Sequence, residues 1–458
     1  MSDGSEKALL SNHVDENVIL VLNTKCGICD PRRIAHRMIV LVLICFLGFG
    51  VSFCGDTPAA LHDQIVEKLD IDEETFMGLY SWYACPNVIL SLLSGYLIDR
   101  YIGVRLGSVT LAGFVLIGHC IFSLGKNIFK SDDAKLPRWK FTVDVAYGCG
   151  DLSLVFGLLI SSMMIAEAIN FNVLLQIYNA VDRTKSSGNS LGITLFIASI
   201  PCVISFACAV MLAYLDKRAE KLINRERNDG SPIHLADIKN YPLPFWILTI
   251  ISLSVIVSVV TFAGLGVSYF ENKLGVSPST SHELNSFLYC LVVPLAPLLG
   301  FLVDVTGYHV YWILLAMVSS LLGLCLLTFT LLTPWIGTAL VSFSIALWTC
   351  PLFAIVAFIV PLHKLSTAYG FMASFQSLGS AFMTKVSGIV VDSSGYFMLG
   401  IFFCIWSSVA VIFAIILYFV DIAKVSKLNI STKERFSQET SPTELILQPP
   451  QDFTLFPV

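Results

Sequence analysis

From Met38 to Val420 the chain is a succession of apolar runs, most of them close to the ~20 residues that a helix needs to cross a bilayer. In hydrocarbon every backbone polar group must find its partner within the protein, so only helices and closed barrels can span. Continuous apolarity, rather than strict alternation, selects helices. Composition agrees: 55% of the 458 residues are hydrophobic and 13% are charged, against about 25% charged in a soluble domain. The fold class is therefore an all-α polytopic membrane protein. The net charge of −5 says nothing about nucleic acid, but no long basic stripe exists, and no nucleic-acid partner is expected.

The joint that organises the rest is Gly95-Tyr96-Leu97-Ile98-Asp99-Arg100-Tyr101-Ile102-Gly103-Val104-Arg105. A degraded copy, Gly300-Phe301-Leu302-Val303-Asp304-Val305-Thr306-Gly307, starts 205 residues later. A repeat at that period in a chain of membrane spans indicates two homologous halves. Gly95 and Gly300 let two helices approach closely. Asp99 and Asp304 can accept hydrogen bonds from a helix N-terminus. Arg100 and Arg105 put this face on the cytosolic side by the positive-inside rule. Gly-x-x-x-Asp-Arg followed by Gly and Arg resembles the inter-span signature of the major facilitator superfamily. One residue more than usual lies between Asp99-Arg100 and Gly103. The resemblance implies a major facilitator fold of two pseudo-symmetric six-helix halves.

Residues 1–37 read as a cytosolic N-terminal tail, basic from Asp30 to Arg37 where it meets the first span, Met38 to Cys54. The acidic joint Gly55 to Thr75 belongs on the opposite side. Spans follow at about Phe76–Ile98 and Leu106–Leu124. Residues 125–151 are atypical: nine charged side chains interrupt them, and no window is a credible span. The next apolar runs are Leu152–Val181 and Leu191–Tyr214, closing an N-terminal bundle of residues 38–214. Counting sides then leaves Asp216 opposite the signature, although residues 215–242 form the most basic joint and belong in the cytosol. Either Trp139–Asp151 makes a partial crossing or the fourth span is missing from this version of the chain, through splicing or an incomplete gene model. The missing span is the favoured expectation, leaving about 11 recognisable spans. A C-terminal bundle of six spans fills 243–420, and 421–458 is a cytosolic tail, so both termini are cytosolic.

Of 13 cysteines, most lie in apolar runs (Cys45, Cys85, Cys202, Cys290, Cys325, Cys404) and read as small hydrophobes with free thiols. Cys26-Gly27-Ile28-Cys29 has no second pair to complete a zinc site. No metal or cofactor is expected. No Walker-type string, His-Glu-x-x-His or Gly-x-Ser-x-Gly is present, so no enzymatic activity is read.

Ordered strings make the resemblance more specific. They include Asp30-Pro31-Arg32-Arg33-Ile34-Ala35-His36-Arg37, Tyr83-Ala84-Cys85-Pro86-Asn87-Val88, Ala213-Tyr214-Leu215-Asp216-Lys217-Arg218 and Thr367-Ala368-Tyr369-Gly370-Phe371-Met372. Over about Asp30–Lys424, except Gly125–Asp151, the chain resembles the lysosomal dipeptide carriers of the superfamily. This implies twelve spans, lysosomal residence, uniport of dipeptides out of the lumen, and a heavily glycosylated single-span accessory subunit that shields the carrier. The one glycosylation sequon, Asn429-Ile430-Ser431, lies in the cytosolic tail, so no glycan of the chain's own would face the lumen. Glu6-Lys7-Ala8-Leu9-Leu10 resembles an acidic dileucine sorting signal, with Glu6, Leu9 and Leu10 as its determinants and the acid one place late. The resembled carriers meet the charged ends of the dipeptide with a Glu in the fourth span and an Arg in the fifth. Here the fourth span is not recognisable and Met164 stands where the Arg is expected, so neither residue carries over.

Candidate substrate-binding residues follow from the cost of polar groups at bilayer depth. Glu167, the ionisable residue of its span, would receive a substrate ammonium or a proton. Lys385 would meet a carboxylate or pair with Glu167, or else snorkel to headgroups. Asn87 and Gln376 are polar candidates, and His119 reads as a satisfied core histidine. The function these features point to is a lysosomal carrier of small peptides working by alternating access. A carrier of another solute, monocarboxylate or sugar, and a transport-inactive isoform lacking one span are the alternatives.

Overall fold

The computed structural model describes residues 34–61, 65, 87–128, 152–184, 190–223, 235–330, 333–423 and 428. The tail motifs (Cys26, Cys29, Glu6, Leu9, Leu10) and residues 129–151 lie outside them. Every regular element described is helical. Along the chain these are α1 (Ile34–Ala60), α2 (87–97), a π-turn at Ile98–Ile102, α3 (Gly103–Ile128), α4 (Leu152–Thr184), α5 (Ser190–Ile197) and α6 (Ile200–Ile223). After a 3₁₀ turn at Leu235–Asn240 come α7 (Leu243–Val255), a second π-turn at Ile256–Val260, α8 (Thr261–Leu274), α9 (Pro278–Thr306), α10 (His309–Phe329), α11 (Pro334–Ile359) and α12 (Leu365–Ala423).

Among the described residues, eight helical runs are long and apolar enough to cross a membrane. Two of these are really pairs. The run through α2 and α3 turns at Gly103, φ 74°, and α12 turns at Gly395, φ 78°. Both sit in backbone regions that only glycine occupies without strain. α12 is thus two helical arms, 365–394 and 396–423, on either side of that kink. The long apolar runs expected from the sequence recur as rods in the same order.

Several boundaries differ from the sequence reading. α1 runs on through Gly55 and Asp56 to Ala60 rather than ending at Cys54. α6 continues to Ile223, so Asp216, Lys217 and Arg218 stand on a helix and not in a loop. An apolar window ends where charge begins, but a helix whose end leaves the bilayer keeps its backbone bonds in water. Cys202 is also corrected: it is bonded to Cys54, their Cα atoms 6.9 Å apart, tying α1 to α6. Two cysteines 148 residues apart in apolar runs carry no pairing signal in sequence.

In the first half α1 packs against α4 and α6, and α3 against α6. In the second half α7 packs on the first arm of α12, α11 on α9 and α10, and α10 on α12. A single large apolar core joins the second half, while the first half is held by several smaller clusters. Because lipid tails are as apolar as leucine, burial alone does not drive these contacts; close approach of small residues does. Gly50 of α1 sits against Pro201 and Ser205 of α6, and Gly323 and Gly337 let α10 and α11 meet.

Candidate functional site

The halves meet along two crossings, α2 with α12 and α4 with α9. At the first, a methyl added to Gly95 would overlap the Ser366 carbonyl, and one on Gly370 would overlap the Ser91 carbonyl. At the second, a methyl on Gly157 would overlap the Ala296 carbonyl. The pairs are equivalent by the internal repeat, since Ser91 and Ala296 each lie four residues before the signature glycine of their own half.

One turn along, Ser374 donates to the Val88 carbonyl and Ser161 donates to the Val293 carbonyl at 2.6 Å. The elements that supply Gly157, Ser161, Gly370 and Ser374 are a second repeat, Leu152-Ser153-Leu154-Val155-Phe156-Gly157-Leu158-Leu159-Ile160-Ser161 and Leu365-Ser366-Thr367-Ala368-Tyr369-Gly370-Phe371-Met372-Ala373-Ser374. The sequence reading missed it. The shared Leu-Ser at the start and the Gly-x-x-x-Ser spacing were the signal that could have found it.

Asp99 locks the first crossing. Its carboxylate accepts the Ser366 N–H at 3.3 Å, the Thr367 N–H, and the Thr367 hydroxyl at 2.6 Å. It therefore caps the first arm of α12 at the positive end of its dipole. The π-turn at Ile98–Ile102 carries Asp99 and Arg100, and it absorbs the additional residue that this copy of the signature holds. The shorter copy keeps α9 regular to Thr306, and Gly307 turns it at φ 73°, close to the 74° of Gly103. Arg100 lies between two rings, 5.6 Å from the Tyr96 centroid and 5.2 Å from that of Tyr101, and donates to the Tyr96 hydroxyl at 2.6 Å. Arg105 bonds Asp216 of α6, Nε at 2.8 Å and Nη2 at 2.7 Å. Tyr241, just before α7, donates to the Lys364 carbonyl at 3.3 Å, at the turn that leads into Ser366.

Leu159 and Met163 of α4 cluster with Ile44 of α1 and Ala354 of α11, and Ile160 and Met164 pack on the second-half core. Glu167 follows one turn beyond and is half-buried. Toward the opposite ends of the rods, Gly55, Gly264 and Gly388 have open space about them.

The four sequence-chosen substrate residues are not brought into one cluster. Asn87 is buried at the start of the described part of α2, one residue from Val88 in the α2–α12 crossing. Gln376 donates to the Ser252 hydroxyl, linking α12 to α7. Lys385 is exposed, on the same stripe of α12 as Leu378, Phe382 and Ile389, which are 50%, 62% and 63% exposed. Tyr369, on another side of that arm, bonds the Phe353 carbonyl of α11 at 2.7 Å. Among the described residues no group of three or more His, Cys, Asp or Glu could hold a metal.

Two halves of repeated helices joined by symmetric crossings define a secondary carrier. A model of the Major Facilitator Superfamily matches residues 147–384 and 260–455, and the chain belongs to that superfamily. Within it, the chain is 39% identical over 434 residues to the human lysosomal dipeptide transporter MFSD1, covering 91% of this chain and 93% of that one. It is 40% identical over 424 residues to the zebrafish (Danio rerio) protein of the same name, covering 89% and 92%. Among solved structures, the E. coli fucose:proton symporter FucP superposes with a TM-score of 0.60 at 12% identity, covering 82% of this chain and 98% of that one. A bacterial homologue of the iron transporter ferroportin gives 0.61 at 10%, covering 84% and 99%. At those identities the likeness is one of fold.

Proposed function

We propose that this chain is a lysosomal, multi-pass uniporter that exports small peptides, chiefly dipeptides, by alternating access. The observation that carries the reading is the pair of symmetric crossings closed at the signature face, with a half-buried carboxylate, Glu167, in the seam behind them. The names of its relatives, similar over about nine-tenths of the chain, supply the substrate class and the compartment. Asp99, Arg100, Gly95, Gly103 and Arg105, with Gly300, Asp304 and Gly307 in the second half, act as the cytosolic gate. Glu167 takes the peptide's ammonium, while Asn87 and Gln376 contribute neutral polar contacts nearer the crossings. With both termini in the cytosol, the signature face is cytosolic and the state described is open toward the lumen. The partner is a glycosylated single-span membrane protein covering the lumenal side; the one sequon of the chain lies in its C-terminal tail.

Counterflow in liposomes tests the reading. Vesicles carrying the purified chain and preloaded with unlabelled dipeptide should accumulate labelled dipeptide transiently, at both acidic and neutral pH and without an imposed proton gradient. Accumulation of a sugar or a monocarboxylate instead would assign the carrier to another solute. No exchange of any of the three by folded protein would identify a transport-inactive form.

A further inference from the structure

Two short turns carrying basic side chains meet beside the closed crossing. Leu235–Asn240 precedes α7, and Leu362–Lys364, a further 3₁₀ turn, precedes the first arm of α12. The Tyr241 hydroxyl on the Lys364 carbonyl ties one to the other. The Lys364 N–H closes its own turn on the Pro361 carbonyl at 2.9 Å. Each turn is anchored by a buried side chain of the second-half core, Ile238 within the first and Leu365 directly after the second. Anchoring leaves the polar side chains outside: Lys239 and His363 are exposed and Lys364 is half-buried. Three groups able to carry positive charge thus stand at one end of the α7–α12 pair.

An aromatic seam lies beneath them. Side chains on the first arm of α12 sort by direction. Gly370 and Ser374 face α2, and Gln376 and Gly379 face α7. At about 100° per residue, Phe371 and Phe375 fall between those directions, on the side away from Tyr369 and α11. Phe375 is 38% exposed. Its ring lies 4.8 Å from that of Phe371, which meets Trp246 of α7 edge-on at 5.4 Å. From Phe375 toward the two turns, the joint between α7 and α12 therefore presents open apolar surface. Cations at the end of a membrane rod, above exposed aromatic rings, reproduce the layout of a phospholipid, with charge at headgroup depth and hydrocarbon below.

We propose that this is a binding site for one anionic phospholipid. Lys239 and His363, with Lys364 beside them, hold the phosphate, and an acyl chain lies along Trp246, Phe371 and Phe375. Charge complementarity selects an anionic headgroup over a zwitterionic one, and the seam selects a lipid over a soluble phosphate. The orientation proposed above puts the site in the cytosolic leaflet, where anionic lipids concentrate, but the binding itself does not depend on that orientation. The site adjoins the gate, since Lys364 stands two residues before Ser366, whose N–H Asp99 accepts.

Native mass spectrometry of the purified full chain, in micelles containing phosphatidylserine or phosphatidylcholine, tests the site by counting retained lipid. One phosphatidylserine should be held at least about fivefold more tightly than phosphatidylcholine. Combining Lys239→Gln with His363→Gln should erase that preference, since each cation near an anionic headgroup is worth about fivefold. Lys217→Gln removes a cation exposed on α6 at the same face and should leave the preference unchanged. Equal losses from K217Q and the double variant, or no preference in the native chain, would mean diffuse attraction and overturn the site. Glycerophosphoserine, the headgroup without chains, should fail to displace the lipid at equal concentration; displacement would make this a site for soluble anions and overturn the lipid. Phosphatidylserine with brominated acyl chains, at one lipid per protein, should quench tryptophan fluorescence, and Trp246→Phe should remove most of the quenching. Undiminished quenching in W246F would place the chain outside the seam and contradict the proposal. Neither readout involves transport, so the site and the carrier reading stand or fall separately.

Discussion

The Ser161 hydroxyl donates to the Val293 carbonyl at 2.6 Å, joining a helix of the first half to one of the second. The internal repeat sends the equivalent bond from Ser374 to Val88 in the opposite direction across the molecule. Each bond stands one turn from a glycine whose Cα rests on a backbone carbonyl. The two halves are thus latched at both edges by the same device, a small residue for close approach and a hydroxyl for a carbonyl.

The glycines set how closely the latch closes. Gly157→Ala and Gly370→Ala each place a methyl into a backbone carbonyl that cannot move without shifting a helix. Overpacking of this kind costs about 1–3 kcal/mol, charged here against the closed state alone. Each variant should expose the signature face more often, seen as faster alkylation of a cysteine introduced at Ser374 or Ser161 on the opposite crossing. Gly55→Ala, which meets nothing, is the control and should leave the rate unchanged.

Asp99 holds three donors at the start of α12. Hydrogen bonds to a charged group contribute about 1.5–3 kcal/mol, so Asp99→Asn should weaken closure by roughly 10–100-fold. Alkylation of the same reporter cysteine should accelerate accordingly, and transport should fall while the amount of folded protein stays within about twofold. Thr367→Val removes the hydroxyl and keeps the backbone donors, so its effect should be intermediate.

The Arg105–Asp216 pair is a different case. Its side chains are 30% and 64% exposed, and exposed ion pairs contribute about 0.2–1 kcal/mol. Asp216→Asn should therefore slow uptake by less than about fivefold, increasingly less at high salt, and exchanging the two charges should restore the loss. A loss as large as that of Asp99→Asn would mean that Arg105 serves the gate through Asp216, beyond bracing α3 against α6.

Much of this was legible in the sequence. Bilayer thickness fixed the rods, because apolar length is a direct measure of it, and the copies of the signature marked the halves. The additional residue before Gly103 was visible too, but not that a π-turn would absorb it, since π-turns carry no composition of their own. The repeat at Leu152 and Leu365 was readable, yet Gly-x-x-x-Ser is common in membrane helices and gains meaning only once both copies meet carbonyls. Glu167 could be chosen by the cost of burying charge, and its direction by helical period. The Cys54–Cys202 pairing needed the packing of α1 on α6. Residues 129–151, where the sequence reading lost a span, lie outside the described residues.

The most direct test joins the gate to transport. Cysteines placed at Ser161 and Val293, whose side chain and carbonyl already touch, can be bridged by a short thiol-reactive cross-linker in liposomes. Dipeptide uptake should be present before bridging, abolished when the crossing is held shut, and restored when the bridge is cleaved. Undiminished uptake by fully bridged protein would contradict an account in which this crossing must open for the substrate to leave.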